Sequence, residues 1–325
     1  MTRKKCPLRA FLKSRIKAIY WNKLGLIYGP DGSLAWAKSH AMIPTPFRLN
    51  EEVIRVYVTF CDGHGIGRPG FVDVCALDPR KVLKVSQKPL FDVGEPGTFD
   101  ENGVLTCSVV TCADGRLFMY YVGFELGTKI RYRLLTGLAI SNDGGDTFER
   151  YSNIPILERS GEELFFRCGP YCVNEDGLFK LWYVAGSSWT EVDGKSMPVY
   201  DIRYIESQDG ILWPECGEVQ IPITASDEHG FGRPCVISGG NANYRMFYSV
   251  RRRKFASYRL GYAESFDGHN WKRMDEDLNL DVSAVGFDSD AIMYAAPIMI
   301  DRKLYVFYNG NNFGKDGFAV ALLDS

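Results

Sequence analysis

Two aspartates, Asp100 and Asp290, are the first candidates for chemistry in this chain. Asp100 stands in the segment "FDENG" and Asp290 in "FDSD". Two carboxyl groups that face one bond can act as a general acid and as a base or nucleophile, which allows a leaving oxygen to be protonated. Either aspartate could instead cap a turn or pair with an arginine. The catalytic interpretation therefore depends on a fold that brings the two together.

Arginines near the acids could bind an anion. Arg167 and Arg233 stand shortly before prolines, in "RCGP" and "RPCV". Because a guanidinium presents a rigid fork of donors that fits a carboxylate or phosphate, the two predict a cationic funnel. The alternative is that they are struts that compensate the charge of nearby aspartates. The other candidates for ligand binding are His40, Asp62, Arg68, Trp189, Tyr258, Asp288 and Asn309, with Glu125, Arg251 and Tyr294 in the same segments.

The segment "SFDGHNW" at 265–271 looks catalytic but is interpreted as structural. It recurs as "SQDGILW" at 207–213 and, in longer form, as "SNDGGDTF" at 141–148. Since a catalytic residue rarely needs three copies, Ser, Asp and Gly are predicted to form a tight turn, and the aromatic residue to anchor the next strand. Asp143, Asp209 and Asp267 are therefore excluded as catalysts.

The elements that must position the candidates form a fivefold repeat. Short aromatic strand signals contain Phe60, Tyr121, Tyr183, Tyr248 and Tyr308, at steps of about 60 residues. An apolar strand signal precedes each of them and another follows, with alternating patterning and no sustained helical period. Each unit is therefore predicted to contain three or four antiparallel strands.

Such units cannot bury both faces of a sheet alone, but a ring of them can. We therefore predict an all-β, five-bladed β-propeller as a single domain over residues 31–325, preceded by a basic arm over residues 1–30. A pair of β-sandwiches is the competing architecture, but it gives no reason for five equal periods. In a ring the first strand of each blade starts near the axis, where Asp100 and Asp290 can converge.

The sequence resembles the five-bladed glycoside hydrolase superfamily that includes arabinanases, β-xylosidases, invertases, levansucrases and mannoside phosphorylases. The resemblance rests on "ESQDGILW" and "YAESFDGHNW", on the strands "LWYVAG", "MFYSV" and "VFYNG", and on "RPCV". The combination of "HAMIPTP", "FDENGVLTC", "GRPCV" and "FDSDAIMYAAP" resembles a subgroup associated with bacterial surface-polysaccharide gene sets. "SNDGGDTF" also fits the sialidase Asp-box, although sialidases resemble six-bladed rings with an arginine triad.

The resemblance implies a carbohydrate-active enzyme that cleaves or transfers a glycosyl group, here on an anionic or phosphorylated sugar in bacterial polysaccharide metabolism. The expected partner is a carbohydrate or a nucleotide- or phospho-sugar, and no cofactor is expected. The sequence lacks "NDPN" in its first unit and "RDP" in its second, and "RCGP" stands in place of "ECP". The catalytic acids of the superfamily therefore cannot be transferred residue by residue. A noncatalytic glycan-binding or scaffold propeller remains the alternative.

Composition limits the remaining function classes. With a formal net charge of −2, the chain has no overall attraction for nucleic acid, and no nucleic-acid binding is expected. Four histidines lack metal-ligand spacing, so no metal site is expected. Nine cysteines without a CxxC pair predict free thiols in a reducing cytoplasm. The first 23 residues carry eight Lys or Arg and no acid, which indicates a solvated arm or weak contact with an anionic membrane surface.

Overall fold

The computed structural model describes residues 19–238, 243–255 and 257–324, and their regular structure is almost entirely β-strand. The all-β prediction is confirmed. The elements are β1 (Trp21–Tyr28), β2 (Ser39–Arg48), β3 (Val53–Cys61), β4 (Gly67–Cys75), β5 (Val82–Val85), β6 (Val104–Thr111), β7 (Leu117–Leu126), β8 (Tyr132–Ser141), β9 (Glu149–Arg150), β10 (Phe166–Glu175), β11 (Leu178–Val192), β12 (Lys195–Ser207), β13 (Glu218–Ile221), β14 (Glu228–Ser238), β15 (Tyr244–Arg252), β16 (Arg259–Ser265), β17 (Trp271–Arg273), β18 (Met293–Ile300), β19 (Lys303–Asn309), the short helix α1 (Asn311–Gly314) and β20 (Phe318–Leu323).

The strands form antiparallel meanders of four. In chain order these are β2 to β5, β6 to β9, β10 to β13, β14 to β17, and β18 to β20 with β1. Short parallel pairings join β8 to β10 and β12 to β14. The first strands of the meanders contact one another in the cyclic order β2, β6, β10, β14, β18 and again β2. The first strands of the five meanders therefore lie around a common centre.

Hydrophobic cores lie between consecutive meanders, including one between the last and the first. The repeated aromatic residues supply much of this packing. Phe60, Tyr121, Tyr183, Tyr248 and Tyr308 all lie on second strands and are fully buried. The repeat in the sequence thus reflects one packing position that each sheet must fill against its neighbour.

The N-terminal strand completes the last sheet. β1 pairs with β20, with Trp21 opposite Leu323, and Trp21 and Leu24 pack against buried clusters. The arm predicted for residues 1–30 overlaps this strand, so its boundary is corrected to a position before Trp21. Residues 1–18, with most of the arm's basic charge, lie outside the described residues.

The three Ser-x-Asp turns are confirmed as structural connections between third and fourth strands. In the turn at Ser265 the serine hydroxyl donates to Asp267 Oδ1 at 2.9 Å and accepts from the Gly268 N–H at the same distance. Asp267 also accepts from the backbone N–H of His269 at 2.9 Å. Equivalent bonds form at Ser141 and Ser207. Each motif therefore closes an outer turn by satisfying its own backbone donors.

The structure also bears on membrane crossing and on the state of the cysteine thiols. Within the described ranges, no helix combines the length and apolarity that crossing a bilayer demands. Eight cysteines are described, and each has a free thiol: Cys61, Cys75, Cys107, Cys112, Cys168, Cys172, Cys216 and Cys235.

Candidate functional site

Several predicted site residues belong instead to a repeated structural motif, which we call the tyrosine–acid unit. In four sheets a second-strand tyrosine donates its hydroxyl to a carboxylate, at 2.6 to 3.2 Å, and the carboxylate pairs with a cation. The units are Asp100 with Tyr121 and Arg150, Glu163 with Tyr183, Arg167 and Arg203, Asp275 with Tyr248 and Arg273, and Asp288 with Tyr308 and Lys23.

Asp100 is therefore not placed to act as a general acid, which corrects our prediction. Its side chain is fully buried. Oδ2 accepts from the Tyr121 hydroxyl at 3.0 Å and from Arg150 Nε at 2.8 Å, and Oδ1 accepts from the Thr98 hydroxyl at 3.0 Å. A proton donor must reach the leaving group, and here both oxygens face protein donors.

Arg167 and Asp288 are corrected for the same reason. Arg167 Nε lies 2.6 Å from Glu163 Oε2, and its terminal nitrogens donate to the carbonyls of Glu158 and Pro214, both at 2.9 Å. Asp288 is buried and pairs with Lys23 at 2.7 Å. Both side chains are paired with groups of the protein, so neither is available to a ligand.

Arg233 is a central strut and does not form the predicted funnel. Nη1 donates to the carbonyls of Pro44 and Tyr294, at 3.0 and 3.1 Å, and Nη2 donates to Thr45 Oγ1 at 2.7 Å and to the Cys107 carbonyl at 3.0 Å. These partners belong to the first, second and fifth sheets. The alternative interpretation as a strut is thus the correct one, although carbonyls rather than aspartates accept its bonds.

Asn309 is likewise structural. It is fully buried, and its Oδ1 accepts from the Ile43 N–H at 2.7 Å. Its Nδ2 donates to the carbonyls of Ala41 and Gly317, both at 2.9 Å. The side chain joins the last sheet to the first, and both of its N–H donors are used within the protein.

The polar candidates of the first sheet hold local loops. Asp62 Oδ2 accepts from Arg68 Nη1 at 2.8 Å, and Arg68 Nε donates to Asp92 at 2.6 Å. His40 Nδ1 lies 2.8 Å from the Ser39 hydroxyl, and burial lowers the pKa of its imidazole. None of these contacts points to a shared ligand site.

Trp189 and Tyr258, in contrast, belong to one group of side chains at the centre, which we call the central cluster. Its members are Tyr132, Phe166, Trp189, Tyr200, Arg251, Tyr258 and Tyr294. The Trp189 ring lies 5.4 Å from those of Tyr132 and Phe166, and Phe166 lies 5.7 Å from Tyr200. Strand starts and the loops between second and third strands deliver these residues to the same end of the meanders. The sequence interpretation missed Tyr132, Phe166 and Tyr200.

Tyr258 connects the rest of the cluster. Its hydroxyl lies 2.7 Å from that of Tyr200, and its ring lies 5.7 Å from that of Tyr294. The Arg251 guanidinium carbon lies 4.5 Å from the Tyr258 ring centroid. Arg251 is therefore in cation–π contact with the Tyr258 ring.

Two glycines let these rings approach β14. A Cβ atom on Gly230 would lie 2.7 Å from the Tyr200 ring, and one on Gly232 would lie 3.2 Å from the Tyr258 hydroxyl. Any side chain at residue 230 would displace the tyrosine. The segment "HGFGRP" was thus the available signal that large side chains cross this strand.

Asp290 lies beside the cluster. Its side chain is exposed, and within the described ranges its carboxylate has no hydrogen-bond or ion-pair partner. Arg259 Nη1 donates to the Asp290 carbonyl at 2.7 Å and to the Tyr258 carbonyl at 3.1 Å. The backbone of Asp290 therefore lies near that of Tyr258, while Asp100, its predicted partner, is sequestered in a tyrosine–acid unit.

No described group of three or more His, Cys, Asp or Glu side chains is arranged to hold a metal ion.

Comparison with known proteins found relatives that match this chain over nearly its whole length. No family model matches. Two proteins of Mycobacterium tuberculosis, uncharacterized protein Rv1502 of strain H37Rv and uncharacterized protein MT1551 of strain CDC 1551, are each 33% identical over 307 residues. The match covers 94% of this chain and 99% of each relative. The chain belongs to their family.

Solved structures share its fold. A structure of BT0996 in an RGII complex has a TM-score of 0.69 and 19% identity, and the match covers 93% of this chain and 91% of the other. Another comes from work on the GH130 family of mannoside phosphorylases, described as containing glycoside hydrolases that target β-1,2 mannosidic linkages in Candida mannan. It has a TM-score of 0.65 and 13% identity, and the match covers 99% and 96% of the two chains. At these identities the likeness establishes a fold found among propeller-type glycoside hydrolases.

Proposed function

We propose that this protein is a carbohydrate-active enzyme that cleaves or transfers a glycosyl group, with its five meanders as the blades of a five-bladed propeller. The cyclic contacts of the first strands support the ring, and the likeness to glycoside hydrolases supports the class of ligand. Bacterial polysaccharide metabolism and a cytoplasmic location complete the proposal.

The observation that carries the proposal is the central cluster. Aromatic side chains from the second, third, fourth and fifth sheets meet where the first strands begin, beside an exposed carboxylate. Ligand sites are mostly apolar and aromatic, with few polar groups that set orientation. The C–H faces of a sugar can stack on such rings, and hydroxyls can bond to Tyr200 and Tyr258.

We further propose that the sugar is anionic, such as a uronic acid, a phospho-sugar or a nucleotide-sugar. The cluster contains the Arg251 guanidinium, which lies against the Tyr258 ring and has no carboxylate partner among the described residues. A neutral sugar gives such a cation less to bind.

Asp290 is the proposed catalytic carboxylate. It is exposed, unpaired among the described side chains, and tied through Arg259 to the backbone of Tyr258. A noncatalytic glycan-binding propeller is the second candidate, because the buried acids Asp100, Glu163, Glu228 and Asp288 are all committed to ion pairs.

The test combines binding and turnover on a panel of neutral, uronic-acid and phosphorylated oligosaccharides. Calorimetry would measure Kd, and product analysis would measure release or transfer of sugar. Trp189→Ala should weaken binding about tenfold or more, because it removes an aromatic anchor. Trp36→Ala is the matched control, since Trp36 is also half-buried but packs on Phe60 outside the cluster.

Asp290→Asn separates the two candidates. An enzyme should lose turnover with little change in Kd, because the amide keeps the shape of the side chain but cannot donate or accept the proton. Binding without turnover in the unmodified protein would favour the noncatalytic candidate. Equal binding by Trp189→Ala and the unmodified protein would reject the central cluster as the site.

A further inference from the structure

Arg251 differs from the buried residues Arg55, Arg167 and Arg233 in how its charge is met. Arg55 pairs with Asp73 at 2.8 Å, Arg167 pairs with Glu163, and Arg233 makes four hydrogen bonds through its terminal nitrogens. Arg251 is half-buried, and its Nε, like that of Arg233, is buried without a hydrogen-bond partner. Within the described ranges, the Arg251 guanidinium forms no hydrogen bond and no ion pair.

Burial of the Nε donor costs stability, because no protein acceptor replaces the hydration that this atom loses. The Tyr258 ring lies against the guanidinium, and the side chains of Tyr200, Tyr132 and Tyr294 lie near it without offering a carboxylate. Burial raises the pKa of Tyr200 and Tyr294 well above the ordinary value, against the opposing charge of Arg251.

We propose that Arg251 is the receptor for an oxyanion, a carboxylate or phosphate, carried by the sugar. This inference rests on the proposed function for the identity of the sugar but not for the anion. The Arg251 guanidinium carbon lies 4.5 Å from the Tyr258 ring centroid, and no described side chain accepts from the guanidinium, so its N–H donors remain for a two-pronged contact. A carboxylate and a phosphate both present the paired oxygens that this contact requires.

Neighbouring groups favour an anion at the same place. Arg251 and Arg253 both lower the pKa of His229, after the larger effect of burial. His229 Nδ1 lies 3.2 Å from the Pro198 carbonyl, and burial keeps the imidazole neutral. The Tyr200 and Tyr258 hydroxyls, 2.7 Å apart, can donate one further hydrogen bond to an incoming oxygen.

The test first measures anion binding without any sugar. Inorganic phosphate, and separately acetate, would be titrated into the full chain by calorimetry, with chloride at equal ionic strength as the reference. We expect saturable binding, weakened about ten- to a hundredfold in Arg251→Met, because a charge-assisted contact is lost. Arg251→Lys should recover only part of it, since the fork is lost. Arg116→Met, which removes an exposed arginine paired with Asp114, should bind as the unmodified protein does.

The second arm uses uronic-acid and phosphorylated oligosaccharides with their neutral counterparts. We expect Arg251→Met to lose the preference for the charged member of each pair. The charged oligosaccharide that binds more tightly, the uronic acid or the phosphorylated one, would identify the oxyanion. If the free anions bind through Arg251 but no glycan does, the proposed function fails and the anion receptor stands.

Thermal unfolding shows whether the Arg251→Met variant is folded. Arg251→Met should melt at or above the temperature of the unmodified protein, because no partner is left unpaired. Absence of saturable anion binding by the unmodified protein, or equal binding by Arg251→Met, would overturn the proposal.

Discussion

The tyrosine–acid units and the central cluster are built from the same side chains but differ in one respect. Both bury tyrosine and arginine together. In the unit at Asp100, the carboxylate accepts from Tyr121 and from Arg150, so every charge has a partner. In the central cluster, Arg251 meets tyrosine rings and no described carboxylate. A buried charge that is paired stabilises a fold, and one left unpaired indicates a place for a ligand.

The location of the two regions fits this difference. The units lie between second strands and the loops around them, where sheets pack on each other, and there a satisfied polar network can specify one arrangement. The central cluster lies where first strands start, and its aromatic rings come from several sheets. Function is thus expected where the pairing is incomplete, and stability where it is complete.

The largest expected effect is on a tyrosine–acid unit. Asp100→Ala should lower the free energy of unfolding by about 3–5 kcal/mol, because Arg150 and Tyr121 lose their common acceptor in a buried site. Denaturant unfolding would measure it. The folded fraction should bind phosphate with unchanged affinity, and a loss of affinity in well-folded protein would show that Asp100 belongs to the ligand site after all.

A smaller effect tests the hydroxyl of the unit. Tyr308→Phe should cost about 1 kcal/mol, because Asp288 loses one hydrogen bond but keeps its ion pair with Lys23. The first sheet provides the natural reference, since the buried Phe60 occupies the repeated aromatic position without a hydroxyl. A cost as large as that of Asp100→Ala would mean that the tyrosine, rather than the ion pair, holds the unit together.

The smallest expected effect concerns pH and the surroundings of Arg251. Burial, with the charges of Arg251 and Arg253, lowers the pKa of His229 from its ordinary value of 6.5. The folded state thus favours the neutral imidazole, and this contribution to stability is present above pH 6.5 and is lost as the pH falls below it. His229→Gln should show a shallower decline of melting temperature between pH 7 and pH 5. An identical decline in both proteins would place the titration elsewhere, for example at His40, whose pKa is also lowered.

Local pattern predicted much of the fold and little of the site. Spacing placed Phe60 and Tyr248 on equivalent strands, and Asp267 in a structural turn, because these features depend on neighbours in the sequence. Trp189 and Tyr258 were named from the sequence as aromatic candidates for ligand contact, and both lie in the central cluster. Ligand binding by them remains a prediction.

The sequence by itself determined the all-β class, the repeat and the residue types available for binding, since strand period and turn chemistry are local. Only the tertiary structure decided which charged side chains are paired within the protein. Arg233 reaches Cys107 on another sheet, and Asp100 reaches Arg150 across a loop, whereas Arg251 reaches no described acid. The sequence does not reveal whether a charged side chain has an ion-pair or hydrogen-bond partner, because pairing depends on distances that only the packing of the fold sets.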